Sequence, residues 1–68
     1  MSKEKAIDRV YDKIAIIRHF KGKPEHQETA WNQAQGYVQA LMEMDVISAD
    51  EYLTLNTKMD NVFFGIEY

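Results

Sequence analysis

Apolar residues recur every three or four positions in three successive segments, and that spacing constrains the chain more than any other feature. It matches the 3.6-residue turn of an amphipathic helix and not the strict alternation of a half-buried strand. The first stripe is Ile7, Val10, Ile14 and Ile17, widened by Tyr11. The second is Trp31, Ala34, Tyr37 or Val38, Leu41 and Met44. The third is Tyr52, Leu55, Met59 and Val62, with Leu53 beside it. The reading is all-α: a small three-helix bundle with short turns and antiparallel successive helices. Its helices are expected at about residues 3–20, 25–44 and 49–62, in one domain spanning 1–68. The aromatic C-terminal tail Phe63-Phe64-Gly65-Ile66-Glu67-Tyr68 follows, with a helix stop at Gly65.

Local signals fix the boundaries. Ser2 reads as an N-cap, and Glu4 lies in the first turn, where the helix dipole favours an anion. Gly22 suits a left-handed C′ position, and Pro24 cannot continue the first helix but can open the second. Glu25 and Glu28 then complement the second helix dipole. Ser48-Ala49-Asp50-Glu51 is a capping box, with Ile47 and Tyr52 placed for the accompanying hydrophobic staple. Gly36, inside the second stripe, is read as a close helix contact, since glycine there costs about 1 kcal/mol against alanine. Along the first helix, Lys5 with Asp8 and Arg9 with Asp12 are i,i+3 neighbours, worth roughly 0.2–0.5 kcal/mol each.

With 68 residues and no cysteine, the chain has no disulfide, cysteine zinc site or thiol nucleophile, and its small core leaves little stability to spare. Its 46% hydrophobic content argues for folding over disorder. The longest apolar run, Ile14-Ala15-Ile16-Ile17, is far short of a membrane span. These features give a soluble, cytoplasmic protein with no membrane partner as the expectation.

The formal charge of −3 conceals an asymmetry. Residues 1–23 carry seven basic side chains against three acidic ones, a net of +4. Residues 24–68 carry only Lys58 against eight acidic residues, a net of −7. Either the first helix lies electrostatically against the other two, or the acidic face meets a basic partner.

Signals for chemistry are sparse. His19 and His26 flank the first turn near Glu25 and Glu28, but their spacing matches no metal-ligand pattern, so no metal or cofactor is expected. Asp8 with Asp12 and Asp50 with Glu51 are paired carboxylates better explained as surface rows and caps. A chain this small is also expected to lack a cavity of roughly 300–1,000 Å³, so the reading is non-enzymatic. Arg18, Lys21 and Lys23, with Phe20 among them, form the alternative contact for a nucleic acid. Residues 41–59 also have a helix–turn–helix cadence. Asp50 and Glu51 at the start of the third helix, the one that would enter the groove, would oppose phosphates, and a pI near 5.2 disfavours this alternative.

The helical-hairpin plan with an acidic face is similar to that of small plasmid- and phage-type regulatory proteins in architecture alone. No motif carries that resemblance, and no function follows from it. The sequence therefore points to a non-catalytic interaction module, an adaptor or inhibitor of a larger protein, acting as a homodimer. Its candidate contact residues are Glu43, Asp45, Asp50, Glu51, Phe63, Phe64 and Tyr68. Two placements of the tail follow: folded over its own core, or buried in a symmetric dimer. A purely structural subunit of an obligate oligomer is the third functional class.

Overall fold

Ser2 opens the first helix as its sequence requires: the hydroxyl accepts a hydrogen bond from the Lys5 amide at 3.3 Å. The computed structural model describes residues 2–66. Within them lie α1 (Lys3–His19), α2 (Pro24–Glu43) and α3 (Ala49–Phe63), with no strand among the described residues. Gly22 takes φ +91° in the first turn, a backbone conformation that costs an L side chain about 1–2 kcal/mol. With Phe20 as the α1 C-cap, however, it stands at C″, one residue past the C′ position expected for it. Pro24 is the first residue of α2, where its missing N–H loses no intrahelical bond. At the start of α3 both bonds of the capping box are made. The Glu51 amide donates to Ser48 Oγ at 3.1 Å, and the Ser48 amide donates to Glu51 Oε1 at 2.9 Å.

α2 and α3 end in the same way. In a Schellman turn the C″ amide donates to the C3 carbonyl and the C′ amide to the C2 carbonyl, with C′ left-handed. At α2, Val46 N–H meets Leu41 O at 2.9 Å and Asp45 N–H meets Met42 O at 3.1 Å. At α3, Ile66 N–H meets Asn61 O at 2.9 Å and Gly65 N–H meets Val62 O at 3.3 Å. Gly65 fills the left-handed position of α3 at φ +71°, as its sequence signal predicts. The corresponding residue of α2 is Asp45, at φ +59°, the one positive-φ non-glycine residue among those described.

The three stripes meet in one core of Ala6, Val10, Ile14, Ile17, Ala30, Ala34, Val38, Leu41, Ile47, Leu55, Met59 and Val62. Complete burial of the large side chains among them contributes about 1.5–3 kcal/mol each. The centres of the first two stripes are rotated slightly from the sequence expectation. Ala6 and Ala30 are buried, while Tyr11 and Met44 are exposed and Trp31 is half-buried. Small residues at helix contacts let backbones approach, so bulkier neighbours turn outward to the groove edges. Ile47 and Tyr52, the staple pair, both join the core region. Gly36 is exposed, and a Cβ placed there meets nothing within 4 Å, so it marks no close helix contact. Among the described residues, neither Lys5 with Asp8 nor Arg9 with Asp12 closes to ion-pair distance. Those charges stay solvated on an exposed surface, where pairing contributes little.

Candidate interaction site at the aromatic end

α2 and α3 run antiparallel, so the first half of α2 lies beside the last turn of α3. This arrangement brings together Trp31 and Phe63, which lie far apart in the sequence. Their rings stack at 4.2 Å between centroids with 9° between planes. Phe64 stands nearly perpendicular to both, 5.8 Å from Trp31 at 72° and 5.1 Å from Phe63 at 81°. Offset stacking and edge-to-face contacts are the favoured geometries for such rings, worth about 0.5–1.5 kcal/mol per pair beyond burial. Trp31 Nε1–H donates to Asp60 Oδ1 at 3.1 Å, which fixes the indole in its plane.

The cluster is only partly covered. Trp31 and Phe63 pack against the core, whereas Phe64 is 61% exposed and Ile66 is 57% exposed. The Schellman turn accounts for Ile66. Such turns usually close with an apolar contact between C3 and C″. In α2 those residues are Leu41 and Val46, and the contact pair is apolar. In α3 they are Asn61 and Ile66, so Ile66 is held in place with no apolar partner at C3. Of the two placements expected for the tail, Phe63 takes the first and stacks within its own chain. Tyr68 lies outside the described residues.

The acidic candidates do not converge on this cluster. Glu43 is exposed and accepts from Gln39 Nε2 at 3.1 Å. Asp45 is exposed and serves the backbone of the α2 turn. Asp50 lies on the other side of α3, beside a groove with Ile7, Tyr11, Thr54 and Leu55. Glu51 is engaged twice, in its cap and with Lys3 Nζ at 2.7 Å. Lys3 first, and then the Ser48 amide, hold the Glu51 carboxyl below the usual carboxylate range. The carboxylates that do flank the aromatic end are Asp60 and Glu28, one helical turn before Trp31. Trp31, Asp60, Glu28 and Ile66 are absent from the contact set that the sequence suggests. Only the antiparallel docking of α2 on α3 assembles them.

The basic candidates also divide. Arg18 and Lys21 line a small recess with Val62 and Gly65, at the C-terminal end of α3, where the helix dipole favours cations. Lys23 is instead the N-cap residue of α2 and makes no side-chain cap bond. His19 and His26 are separated by the Phe20 ring, with centroid distances of 5.2 Å and 5.4 Å. Among the described residues no three histidine or acidic side chains are grouped to hold a metal ion. A depression of about 340 Å³ does exist, contrary to the size expectation, between α1 and α2. It is open and lined by Ile16, Phe20, Ala30, Thr29, Gln33 and the His26–Glu25 edge. No described helix is long and apolar enough to cross a membrane. Comparison with protein-family models, curated proteins and solved structures gives no match for this chain.

Proposed function

We propose that this chain is a non-catalytic, cytoplasmic protein-interaction module, a small adaptor or inhibitor that binds a larger protein through its aromatic end. The observation that carries the reading is Phe64, edge-on to a Trp31–Phe63 stack, and Ile66, held in the same Schellman turn, both left mostly exposed. Aromatic side chains dominate interface hot spots, and a pre-ordered ring loses little conformational entropy on binding. The contacting residues in this reading are Trp31, Phe63, Phe64 and Ile66, with Asp60 and Glu28 at the rim. Glu51 is already engaged in the α3 cap and with Lys3, and at Asp45 the backbone, not the carboxylate, serves the α2 terminus.

Affinity capture with three versions of the full chain tests this: wild type, Phe64→Ser, and Ile16→Ser in the groove between α1 and α2. A protein retained by wild type and by Ile16→Ser but lost with Phe64→Ser supports the assignment. Retention by all three, or loss only with Ile16→Ser, contradicts it. Light scattering on the same samples reads the homodimer expectation directly.

A further inference from the structure

Charge is distributed unevenly around the aromatic end, and the distribution selects a partner. α2 contains Glu25, Glu28 and Glu43 and no lysine or arginine. The one cation of α3, Lys58, is turned toward α1, where its Nζ donates to Tyr11 Oη at 2.7 Å. Neither helix has a basic residue in its last turn. Asp60 spends Oδ1 on the Trp31 indole, and its other oxygen has no hydrogen-bond donor among the described residues. The aromatic ring faces carry the negative side of a quadrupole, so a cation over Phe64 gains from the ring and from the carboxylates together. Ile66, two residues further along the same turn, adds an exposed aliphatic side chain at this helix end.

A second copy fits this face poorly. Twofold contact through it would set Glu28 and Asp60 against the same acids of the other copy, and like charges across an interface are unfavourable. Arg18 and Lys21 lie on the α1 side of this helix end, past Val62 and Gly65. Relief would require Arg18 and Lys21 of each copy to reach the acids of the other across the twofold axis, and light scattering reads that outcome.

We infer that the aromatic end takes a cationic peptide segment of another protein, in which an arginine lies over Phe64 and pairs with Asp60 and Glu28 while a neighbouring aliphatic residue covers Ile66. This rests on the interaction reading above and adds the chemistry of the partner. Arginine fits better than lysine because its planar, weakly hydrated guanidinium stacks on a ring and forks onto a carboxylate.

The test is selection of a random dodecapeptide display library on the immobilised full chain, counter-selected on Phe64→Ser. Enriched peptides then go to calorimetry against wild type and against the double variant Asp60→Asn, Glu28→Gln. The amide that Asp60→Asn introduces keeps an oxygen for the indole N–H, and circular dichroism confirms that each variant is folded. The expected result is enrichment of arginine next to Leu, Ile or Val. Replacing that arginine by neutral, isosteric citrulline should weaken binding at least tenfold, and so should the double variant. Enrichment of neutral or acidic Phe64-dependent peptides overturns the charge inference but leaves the interaction reading standing. Absence of any Phe64-dependent peptide also overturns it, and the affinity capture then decides the interaction reading separately. Phe64-dependent self-association in light scattering would likewise overturn it in favour of a second copy.

Discussion

Asp45 offers the sharpest quantitative check on the backbone. It sits at φ +59°, its N–H bonded to Met42 O and the next amide bonded to Leu41 O, so the left-handed residue is fixed by two hydrogen bonds. An L side chain in this region is disfavoured by roughly 1–2 kcal/mol, with aspartate and asparagine toward the low end. The carboxylate also stands at a helix C-terminus whose last turn has no basic residue, an unfavourable placement worth about 0.3–1 kcal/mol. Asp45→Asn removes the charge and keeps a residue that tolerates the conformation, so it should stabilise by about 0.3–1 kcal/mol. Asp45→Gly also removes the Cβ strain, partly offset by about 0.5–1 kcal/mol of greater unfolded-chain entropy. Asp45→Ala removes the charge and keeps the strain. Glycine should therefore exceed alanine by about 1 kcal/mol, or roughly 4–8 °C in Tm for a domain of this size. Urea melts should show this as a shift in midpoint at constant slope. Equal stability of the glycine and alanine variants would refute a left-handed residue at this turn.

Three further outcomes follow from other parts of the fold. Gly36→Ala should stabilise α2 by about 1 kcal/mol, because the added Cβ meets open space; a destabilised melt would contradict the exposed placement of Gly36. Met59→Ala, at a fully buried core position, should cost about 2–5 kcal/mol and leave little cooperative unfolding transition at 25 °C by circular dichroism. The Glu51 carboxyl is lowered from 4.5 by Lys3 and the Ser48 amide, so its stabilising contribution is fully present above that pH. The contribution is lost as pH falls through the lower folded-state value, and urea midpoints for Glu51→Gln should fall less steeply over that acid window than those of wild type.

Features encoded by adjacent residues are the most legible in the sequence. The Ser2 cap, Pro24 and the Ser48–Glu51 box each rest on chemistry within a few positions and occur where their residues place them, while Gly22 is left-handed one position past the C′ site expected for it. Asp45 is legible only as a break in the pattern, because the strongest marker of a left-handed residue is glycine and here the position holds aspartate. Periodicity gives the buried side of each helix but not the rotation that buries Ala6 and Ala30 and exposes Tyr11 and Met44. That choice belongs to helix packing, where the close contacts decide which side chains fit between backbones. The aromatic tail is visible as composition. Its partner, Trp31, its anchor, Asp60, and the exposure of Ile66 depend on contacts between α2 and α3 and on an asparagine at C3 of the last turn. The structure also sharpens the split of charge near Gly22: two cations of the basic segment meet the end of α3, and two acids of the remainder frame the aromatic cluster.

Site-specific photo-crosslinking tests the central claim most directly. Benzoyl-phenylalanine replaces Phe64 in one full-length chain and Ile16 in another, each irradiated in the cells that make the protein. Crosslinking to a distinct heterologous protein from position 64, and not from position 16, is the predicted result. Crosslinking from position 16 alone, or from position 64 only to a second copy, would contradict the assignment of the aromatic end to a larger partner.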